Sequence, residues 1–351
     1  AVPDDNITKT LETEYNPSAN SNLFDQTVRE ITSDLNGPNE EMYLFFKWVI
    51  GYALMGDPTK KLLIILYGPY GNNGKSLIMN AINKVLEHMA ATMDKSVILD
   101  APKKSAGSHS SELVALENAR FAILNDTGSN PVINDGNVKQ FTGVTDTVSV
   151  RELHCKQKEI KPIFVPFINT NVEVQMNLND RSMYERLIII PFVLRFTRDP
   201  KFEYERPMDE DLPDKIDKNK EGTLKWLVDA AVYYHQNRDA QLPPCIIRER
   251  EKYNNQINVY LNFIDSNFDR KVDGYIAKKE MLELYKMYSR DNNLRFVART
   301  AEKEFAGLDF IKATTVDSKG RLGKGNIKVY SGIVYRNDDS DSSSDSGPDD
   351  L

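Results

Sequence analysis

The chain has 351 residues, of which 40% are hydrophobic and 28% charged, as in a soluble globular protein of two or three domains. No apolar run approaches the ~20 residues of a membrane span, and the N-terminus lacks the features of a signal peptide. Two distant cysteines and four histidines exclude a disulfide framework and a zinc cluster, and they favour a reducing intracellular compartment.

The net charge of −7 is unevenly distributed. The tail at 337–351 carries six Asp and no basic residue, whereas 270–336 carries 15 Lys and Arg against 8 Asp and Glu. The basic module indicates a polyanion partner, with an ordinary solvated surface as the alternative. The tail is too polar to build a core and is predicted to be disordered. Because the chain does not begin with Met, we expect it to be a fragment of a longer protein.

Residues 1–58 are predicted to form a helical lead-in. A short helix is expected at 23–31. Asn39 can cap a second helix, whose first turn carries two Glu, and Gly56 followed by Asp57 and Pro58 ends it.

The stretch at 62–76, LLIILYGPYGNNGKS, predicts a phosphate-binding loop. An apolar strand, a glycine-rich turn and Gly-Lys-Ser at the start of a helix let backbone N–H groups converge on a polyphosphate. Lys75 would bridge the β- and γ-phosphates, and the Ser76 hydroxyl would ligate Mg²⁺. The residues expected to bind nucleotide are Gly68, Gly71, Asn73, Gly74, Lys75, Ser76 and Leu77.

The loop departs from the standard spacing. Five residues instead of four separate Gly68 from Gly74, and Pro69 occupies the strict first position. An ordinary glycine-rich turn is the alternative, but the Gly-Lys-Ser ending and the amphipathic helix that follows argue against it. The extra residue raises the question of whether Pro69 and Tyr70 bulge outward.

A second apolar strand at 120–124 is followed by Asn125 and Asp126. This is the pattern of a Walker B element, in which a strand carries a carboxylate to the sheet edge beside the phosphate loop. Asp126 is therefore the predicted metal ligand and catalytic carboxylate. The alternative is an Asp that merely begins a turn.

Strands are predicted at 147–153 and 160–168, with Pro162 and Pro166 placing the second at a sheet edge or fragmenting it. The residues between them would form a hairpin with a basic tip. Such a tip could contact a phosphate backbone. Its candidate DNA-binding residues are His154, Lys156 and Lys158.

Asn171 follows the second of these strands and could orient the hydrolytic water or sense the γ-phosphate, although a turn residue is the alternative. Arg181 and Arg186 precede a further strand at 187–192. An arginine in this place could act as an arginine finger, and a surface ion pair is the alternative.

The rest of the chain is less informative. Residues 199–222 are charged and rich in Pro, which predicts a linker or excursion, and 224–234 predict a buried helix. From 255 a new module begins, with helices followed by a short hairpin, as in a winged-helix domain.

The order of these motifs resembles the superfamily-three helicases, in particular the helicase half of poxvirus-type primase–helicases of large DNA viruses and phages. The resemblance runs over about 31–336 and rests on NGPNEEMYLFFKWVIGYALMG, the phosphate loop, ARFAILND, VKQFTGVTDTVSVREL, FVPFINTN and DRSMYERLIIIPF.

The resemblance implies an α/β, AAA+-like P-loop ATPase core and a homo-hexameric ring with ATP and Mg²⁺ at subunit interfaces. It assigns Lys75 and Ser76 to Walker A, Asp126 to Walker B and Asn171 to the sensor. It makes Arg186 the better match to the finger and Arg181 the reserve. It assigns the basic hairpin to the pore loop that grips single-stranded DNA. The sequence departs from the family in its longer phosphate loop, in Asp at 126 where Glu is frequent, and in GVTD at 143–146.

The domains expected are the lead-in (1–58), the core (59–198), a linker and helical segment (199–254), the winged-helix-like module (255–336) and the tail (337–351). The predicted function is an ATP-dependent DNA helicase at a viral or phage replication fork in the host cytoplasm. Its expected partners are single-stranded or forked DNA and a primase domain or polymerase, and no membrane. The alternatives are a P-loop kinase and an AAA+-like ATPase that binds or remodels DNA or protein without unwinding.

Overall fold

The computed structural model of the chain describes residues 10–100, 109–151, 157–176, 180–292, 296–308, 310–317, 321–323 and 326–336. The chain divides into two compact units between Ile257 and Asn258. No helix in the described ranges is long and apolar enough to cross a lipid bilayer.

The first unit alternates helices and strands. Its elements in chain order are α1 (Asn22–Ile31), α2 (Glu40–Met55), β1 (Leu63–Tyr67), α3 (Lys75–Leu86), β2 (Ala90–Thr92), α4 (Lys95–Ile98), α5 (His109–Val114), β3 (Phe121–Leu124), α6 (Asp135–Phe141), β4 (Val148–Val150), β5 (Lys158–Ile160), β6 (Val165–Thr170), α7 (Arg181–Arg186), β7 (Leu187–Pro191), β8 (Arg195–Thr197), β9 (Glu205–Pro207), α8 (Leu212–Lys218), α9 (Lys220–Gln236) and α10 (Pro244–Ile257).

The two predicted lead-in helices are confirmed as α1 and α2. The Asn39 side chain accepts a hydrogen bond from Met42 N at 3.0 Å, which caps α2. Gly56 ends the helix with φ +64°, a left-handed angle that glycine adopts without strain. Local sequence signals are therefore sufficient to set both ends of α2.

A parallel five-stranded sheet in the order β2-β3-β6-β1-β7 forms the centre of the first unit. Successive residues of β1 point to opposite faces: Ile64 and Leu66 join the core that includes α1, α2, α3 and α9, whereas Leu63 and Ile65 join the core that includes α4, α6 and Tyr253 of α10. Burial on both faces explains why the strands are continuously apolar. The fold is a mixed α/β arrangement with a parallel central sheet.

The strand predicted at 160–168 is broken into two strands, which is one of the two effects predicted from Pro162 and Pro166. Its first part is β5, which pairs antiparallel with β4 in a separate hairpin. Its second part is β6, which lies between β3 and β1 in the centre of the sheet, so the edge placement predicted from Pro166 is wrong. Val165 N donates to Arg120 O at 2.9 Å one residue earlier, and the pairing therefore begins before the proline that has no N–H.

The segment predicted as a linker at 199–222 contains β9, α8 and the start of α9. β8 and β9 form a two-stranded parallel sheet. The buried carboxylate of Glu205 accepts hydrogen bonds from Lys201 N at 2.7 Å and Arg195 Nη1 at 3.4 Å. Glu205 thus pairs with a backbone N–H of its own segment and with the side chain of Arg195 in β8.

The second unit is built from three helices and a three-stranded antiparallel sheet in the order β10-β12-β11. Phe263, Tyr285, Phe305 and Tyr330 lie in its separate hydrophobic core. The elements are α11 (Val259–Asn267), β10 (Phe268–Ala277), α12 (Lys278–Asp291), α13 (Ala298–Ala306), β11 (Lys312–Val316) and β12 (Ile327–Tyr335). The acidic tail at 337–351 lies outside the described residues.

Candidate nucleotide-binding site

The predicted phosphate loop connects the end of β1 to the start of α3. A Cβ on Gly68 would lie 2.1 Å from Asn73 Nδ2 and 2.8 Å from Lys75 Nζ. Gly74 has φ +83°, and a Cβ there would lie 2.4 Å from a methyl carbon of Ile31. Glycine is therefore required at both positions by close approach, whereas a Cβ on Gly71 would have no atom within 4 Å.

The extra residue of the phosphate loop is accommodated at Pro69 and Tyr70, on the side of the loop that faces solvent. The Tyr70 ring is exposed and stacks on the Tyr204 ring, with the centroids 4.2 Å apart and the planes 7° from parallel. The Asn73 side chain closes the turn from within, since its Nδ2 donates to Tyr70 O at 2.6 Å. Pro69 is also exposed, so Pro69 and Tyr70 do bulge outward from the loop.

Lys75, the first residue of α3, is buried. Its Nζ donates to Asn171 Oδ1 at 2.8 Å and to Gly68 O at 3.4 Å. Burial disfavours the charged ammonium and lowers the pKa of Lys75 to about 8. The phosphate loop thus holds a partly desolvated cation against the end of β6.

The predicted Walker B strand is β3, and all four of its residues are buried. Asn125 and Asp126 follow directly. Asp126 is exposed, and its Oδ1 accepts a hydrogen bond from Gly128 N at 2.9 Å. Asn125 Oδ1 accepts from Asn169 Nδ2 at 2.9 Å, which ties the ends of β3 and β6 together.

The phosphate loop, the residues that follow β3 and the end of β6 line a cleft of about 270 Å³. It brings together Lys75, Ser76, Asp126 and Asn171, and of the other residues predicted to bind nucleotide it also includes Gly71 and Asn73. The complete lining is Gly71, Asn72, Asn73, Lys75, Ser76, Asn125, Asp126, Thr127, Gly128, Asn169, Thr170, Asn171 and Val172.

The cleft offers oxygen ligands of the kind Mg²⁺ prefers. Ser76 supplies a hydroxyl and Asp126 a carboxylate. The described part of the chain contains no group of three or more His, Cys, Asp or Glu that could hold a metal by itself. This donor set fits Mg²⁺ that is held in part by substrate phosphates and water, as is usual for that ion.

A second cavity, of about 350 Å³, adjoins the other side of the phosphate loop. Asn72, Asn73 and Ser76 line both cavities. The second cavity is mainly apolar and is lined by residues of the lead-in, the phosphate loop, the start of α3, β8 and the 199–222 segment. Its remaining lining residues are Thr27, Glu30, Ile31, Gly74, Leu77, Phe196, Pro207, Met208, Asp209, Leu212 and Pro213. Sequence reasoning identified only the residues of the loop, because no motif joins the other two segments to it.

Neither candidate arginine finger lines the cleft of its own chain. Arg186 is buried, and it donates to Thr142 Oγ1 at 2.9 Å and Ser182 O at 2.6 Å. The Arg181 side chain is 90% exposed and forms an ion pair with Glu185 on its own helix, with 2.7 Å between Arg181 Nε and Glu185 Oε1. Arg181 is thus the more accessible of the two.

Where the basic hairpin is predicted, β4 and β5 pair antiparallel, and residues 152–156 between them lie outside the described residues. Lys158, at the start of β5, forms an ion pair with Glu117, with Nζ and Oε2 2.5 Å apart. His154 and Lys156 lie outside the described residues.

Comparison with known proteins shows that the chain is similar to proteins of large DNA viruses. It is 25% identical over 288 residues to "Putative helicase 022R" of Frog virus 3 (isolate Goorha), covering 79% of this chain and 29% of that protein. It is 25% identical over 162 residues to "Putative helicase 184R" of Invertebrate iridescent virus 6, covering 45% and 17%. It is 23% identical over 198 residues to "Putative primase C962R" of African swine fever virus (isolate Tick/Malawi/Lil 20-1/1983), covering 56% and 20%.

The chain spans less than a third of the length of these relatives. Among solved structures, "The A form apo structure of NrS-1 C terminal region-CTR" matches 91% of this chain and 79% of that one, at 15% identity and a TM-score of 0.48. No protein-family model matches the chain. The chain is therefore similar to proteins of large DNA viruses that are named as putative helicases and as putative primases, which agrees with the viral primase–helicase resemblance that the sequence indicated.

Proposed function

We propose that the chain is the ATP-dependent DNA helicase region of a viral primase–helicase, with an AAA+-like core of superfamily-three type. The observation that carries the proposal is the meeting of Lys75, Ser76, Asp126 and Asn171 in one cleft. This cleft lies at the carboxyl edge of a parallel sheet, where open α/β folds bind their ligands.

Each of these residues has a proposed task. The phosphate loop and Lys75 hold the β- and γ-phosphates, while Asn171 orients the γ-phosphate or the attacking water. Asp126 is the only carboxylate among the residues that line the cleft, so it is the proposed acceptor of the water's proton. Ser76 and Asp126 would hold Mg²⁺, which neutralises phosphate charge when bound.

The second cavity is the proposed subsite for the nucleobase and ribose. It shares Asn72, Asn73 and Ser76 with the cleft, and therefore one nucleotide could occupy both. Two charged residues on its rim already have partners: Glu30 accepts from Gln26 at 3.0 Å, and Asp209 accepts from Lys215 at 2.6 Å. A mainly apolar subsite supports binding of several bases with similar affinity.

We propose that a neighbouring copy in a homo-hexamer completes the site. Lys75 is the only cation among the residues that line the cleft, whereas stabilising the transferred phosphoryl group usually takes a further positive charge. α7 is the proposed source of that charge. The exposure of Arg181 favours it as the finger, since Arg186 would have to leave its partners Thr142 and Ser182.

DNA contact is proposed for the hairpin tip, with His154, Lys156 and Lys158, and for the second unit. The second unit has the element order α-β-α-α-β-β and the sheet order β10-β12-β11, which supports the winged-helix-like assignment. Its excess of Lys and Arg supports contact with a phosphate backbone. A primase domain elsewhere in the full-length protein is the proposed partner at the replication fork.

ATP hydrolysis in the presence and absence of single-stranded DNA tests this proposal. We expect hydrolysis that DNA stimulates and that Asp126→Asn abolishes. Hydrolysis that survives Asp126→Asn, or none in the wild type at any DNA concentration, would refute the assignment. DNA-stimulated hydrolysis without strand separation would favour the alternative, an ATPase that binds or remodels DNA or protein.

A further inference from the structure

The five residues that follow β6, Asn171 to Gln175, form the segment that carries the proposed sensor. Several elements fix this segment. Glu173 accepts a hydrogen bond from the Tyr67 hydroxyl at 2.8 Å. Gln175 N donates to Pro131 O at 2.8 Å, and Gln175 O accepts from Ile133 N at 2.8 Å. Asn171 is thus held on one side by β6, whose Thr170 hydroxyl bonds Val172 N and O, and on the other side by the contacts of Glu173 and Gln175.

Val174, in the middle of this segment, is held by a tyrosine from α10. The Tyr253 hydroxyl accepts a hydrogen bond from Val174 N at 2.5 Å and donates to Val174 O at 3.4 Å. Burial raises the pKa of Tyr253, so the hydroxyl keeps the proton with which it donates. The Tyr253 hydroxyl thus makes the two backbone hydrogen bonds at Val174 that a neighbouring strand would otherwise make.

Tyr253 is itself fixed on the side of the sheet that faces α10. It is 1% exposed, and its ring packs edge-to-face against the Tyr67 ring with the centroids 5.7 Å apart. Tyr67 and Tyr253 thus form a pair that binds Glu173 and Val174 respectively. Both contacts lie within three residues of Asn171, whose Oδ1 is 2.8 Å from Lys75 Nζ.

We propose that Tyr253 is a positioning residue for ATP hydrolysis, acting through Val174 on the placement of Asn171. The inference rests on the proposed function, because it assumes that Asn171 acts on the γ-phosphate or the water. Without the hydroxyl, the segment keeps its apolar packing but loses both hydrogen bonds at Val174. Asn171 would then sample positions away from Lys75.

The expected effect of Tyr253→Phe is on the rate of the chemical step. A displacement of about 1 Å in a reacting group can reduce a rate roughly 100-fold. We expect kcat for ATP to fall about 10- to 100-fold. KM should stay within about twofold, since the phosphate loop that supplies most of the affinity is unchanged.

The chain offers a matched control in α2. The Tyr52 hydroxyl accepts from Lys60 N at 2.9 Å and donates to Lys60 O at 2.5 Å, and Tyr52 is also 1% exposed. Tyr52→Phe therefore removes the same pair of backbone hydrogen bonds from an equally buried tyrosine. Lys60 precedes β1, whereas the cleft lies beyond the other end of that strand.

Both variants should lower Tm by similar amounts, and only Tyr253→Phe should lower kcat. Equal kcat values for the two variants, or a change confined to KM, would overturn the proposal. If Tyr253→Phe does not fold, Tyr67→Phe is the second variant, because it removes the hydrogen bond to Glu173 in the same segment. Tyr67→Phe should also lower kcat. An unchanged kcat in Tyr67→Phe would count equally against the proposal.

The wild type and Lys75→Ala separate this inference from the proposed function. If the wild type does not hydrolyse ATP, or if Lys75→Ala hydrolyses it equally fast, the proposed function fails before Tyr253 is considered. If only the wild type is active and Tyr253→Phe matches Tyr52→Phe, the positioning role of Tyr253 alone is refuted.

Discussion

Lys75 Nζ and Asn171 Oδ1, which lie 2.8 Å apart, join the phosphate loop directly to the carboxyl end of β6. Because Asn171 Oδ1 accepts a hydrogen bond from Lys75, the Asn171 side-chain nitrogen can donate to another acceptor. A phosphate oxygen or a water in the cleft could accept that bond. This pairing explains how one residue of each element could act on the same phosphate group.

Lys75→Ala should abolish ATP hydrolysis, because Lys75 is the only cation among the described residues that line the cleft. We expect a loss of at least about 1,000-fold in kcat/KM, measured by phosphate release. Lys84→Ala is the matched control: Lys84 lies on the same helix but is exposed and paired with Asp217. Equal activities of the two variants would show that the nucleotide site lies elsewhere.

Binding of ATP should depend on pH around the pKa of Lys75, which burial lowers to about 8. Below pH 8 the ammonium is already charged. Above pH 8 it is neutral in the free protein, and a bound triphosphate would have to restore the proton. We therefore expect ATP affinity to weaken as pH rises from 8 to 10, with proton uptake on binding.

Calorimetry of ATP binding in buffers of different ionisation enthalpy measures this uptake. It should be near zero at pH 7 and should rise towards one proton at pH 9. Lys75→Arg supplies the control, since arginine stays charged throughout this range. The same uptake in Lys75→Arg would assign the proton to another group.

The two arginines of α7 should behave differently. Arg186→Ala removes buried hydrogen bonds to Thr142 and Ser182 and should cost about 2 to 3 kcal/mol of stability, visible as a fall in Tm. Arg181→Ala should leave Tm unchanged, because Arg181 is exposed. If Arg181 is the finger, its loss should reduce kcat ~10³-fold or more while ATP still binds.

Mixing experiments test whether the arginine acts between subunits. A mixture of Arg181→Ala with Lys75→Ala should recover part of the activity, since one copy supplies an intact phosphate loop and the other an intact arginine. The same mixture made with Arg186→Ala tests the assignment from the family resemblance. No recovery in either mixture would contradict a shared site.

Phe196→Ala should weaken nucleotide binding through the second cavity. We expect KM for ATP to rise about 10-fold with kcat little changed, on the scale of base–aromatic contacts. The affinities for ATP, GTP, CTP and UTP should fall in parallel. Phe202→Ala is the control, because Phe202 is 60% exposed and lines neither cavity. An unchanged KM in Phe196→Ala would remove the cavity from the nucleotide site.

The parts of the fold that sequence predicts well are those with strong local signals. The Asn39 cap and Gly56 define α2, and the glycine pattern with Lys75 and Ser76 defines the turn from β1 to α3. Asp126 and Asn171, which line the cleft, are singled out by sequence because each lies within two residues of the end of an apolar strand. Parallel pairing then brings the two strand ends to one edge.

The parts that sequence misses depend on contacts distant along the chain. Pro166 is the clearest case, since it lies in a central strand although it cannot donate to a ladder. The burial of Arg186 depends on Thr142, which lies 44 residues earlier. Tyr253 carries no motif, and only the packing of α10 on the sheet places its hydroxyl at Val174. No local pattern contains this information.

The most direct test of the account is strand separation on a forked DNA duplex with a fluorophore and a quencher at its end. The wild type should separate the strands only when ATP and Mg²⁺ are present, more slowly as salt rises because phosphate contacts are screened. Asp126→Asn should bind the fork without separating it. Rapid DNA-stimulated ATP hydrolysis with no strand separation, under conditions where the fork is fully bound, would contradict the helicase assignment.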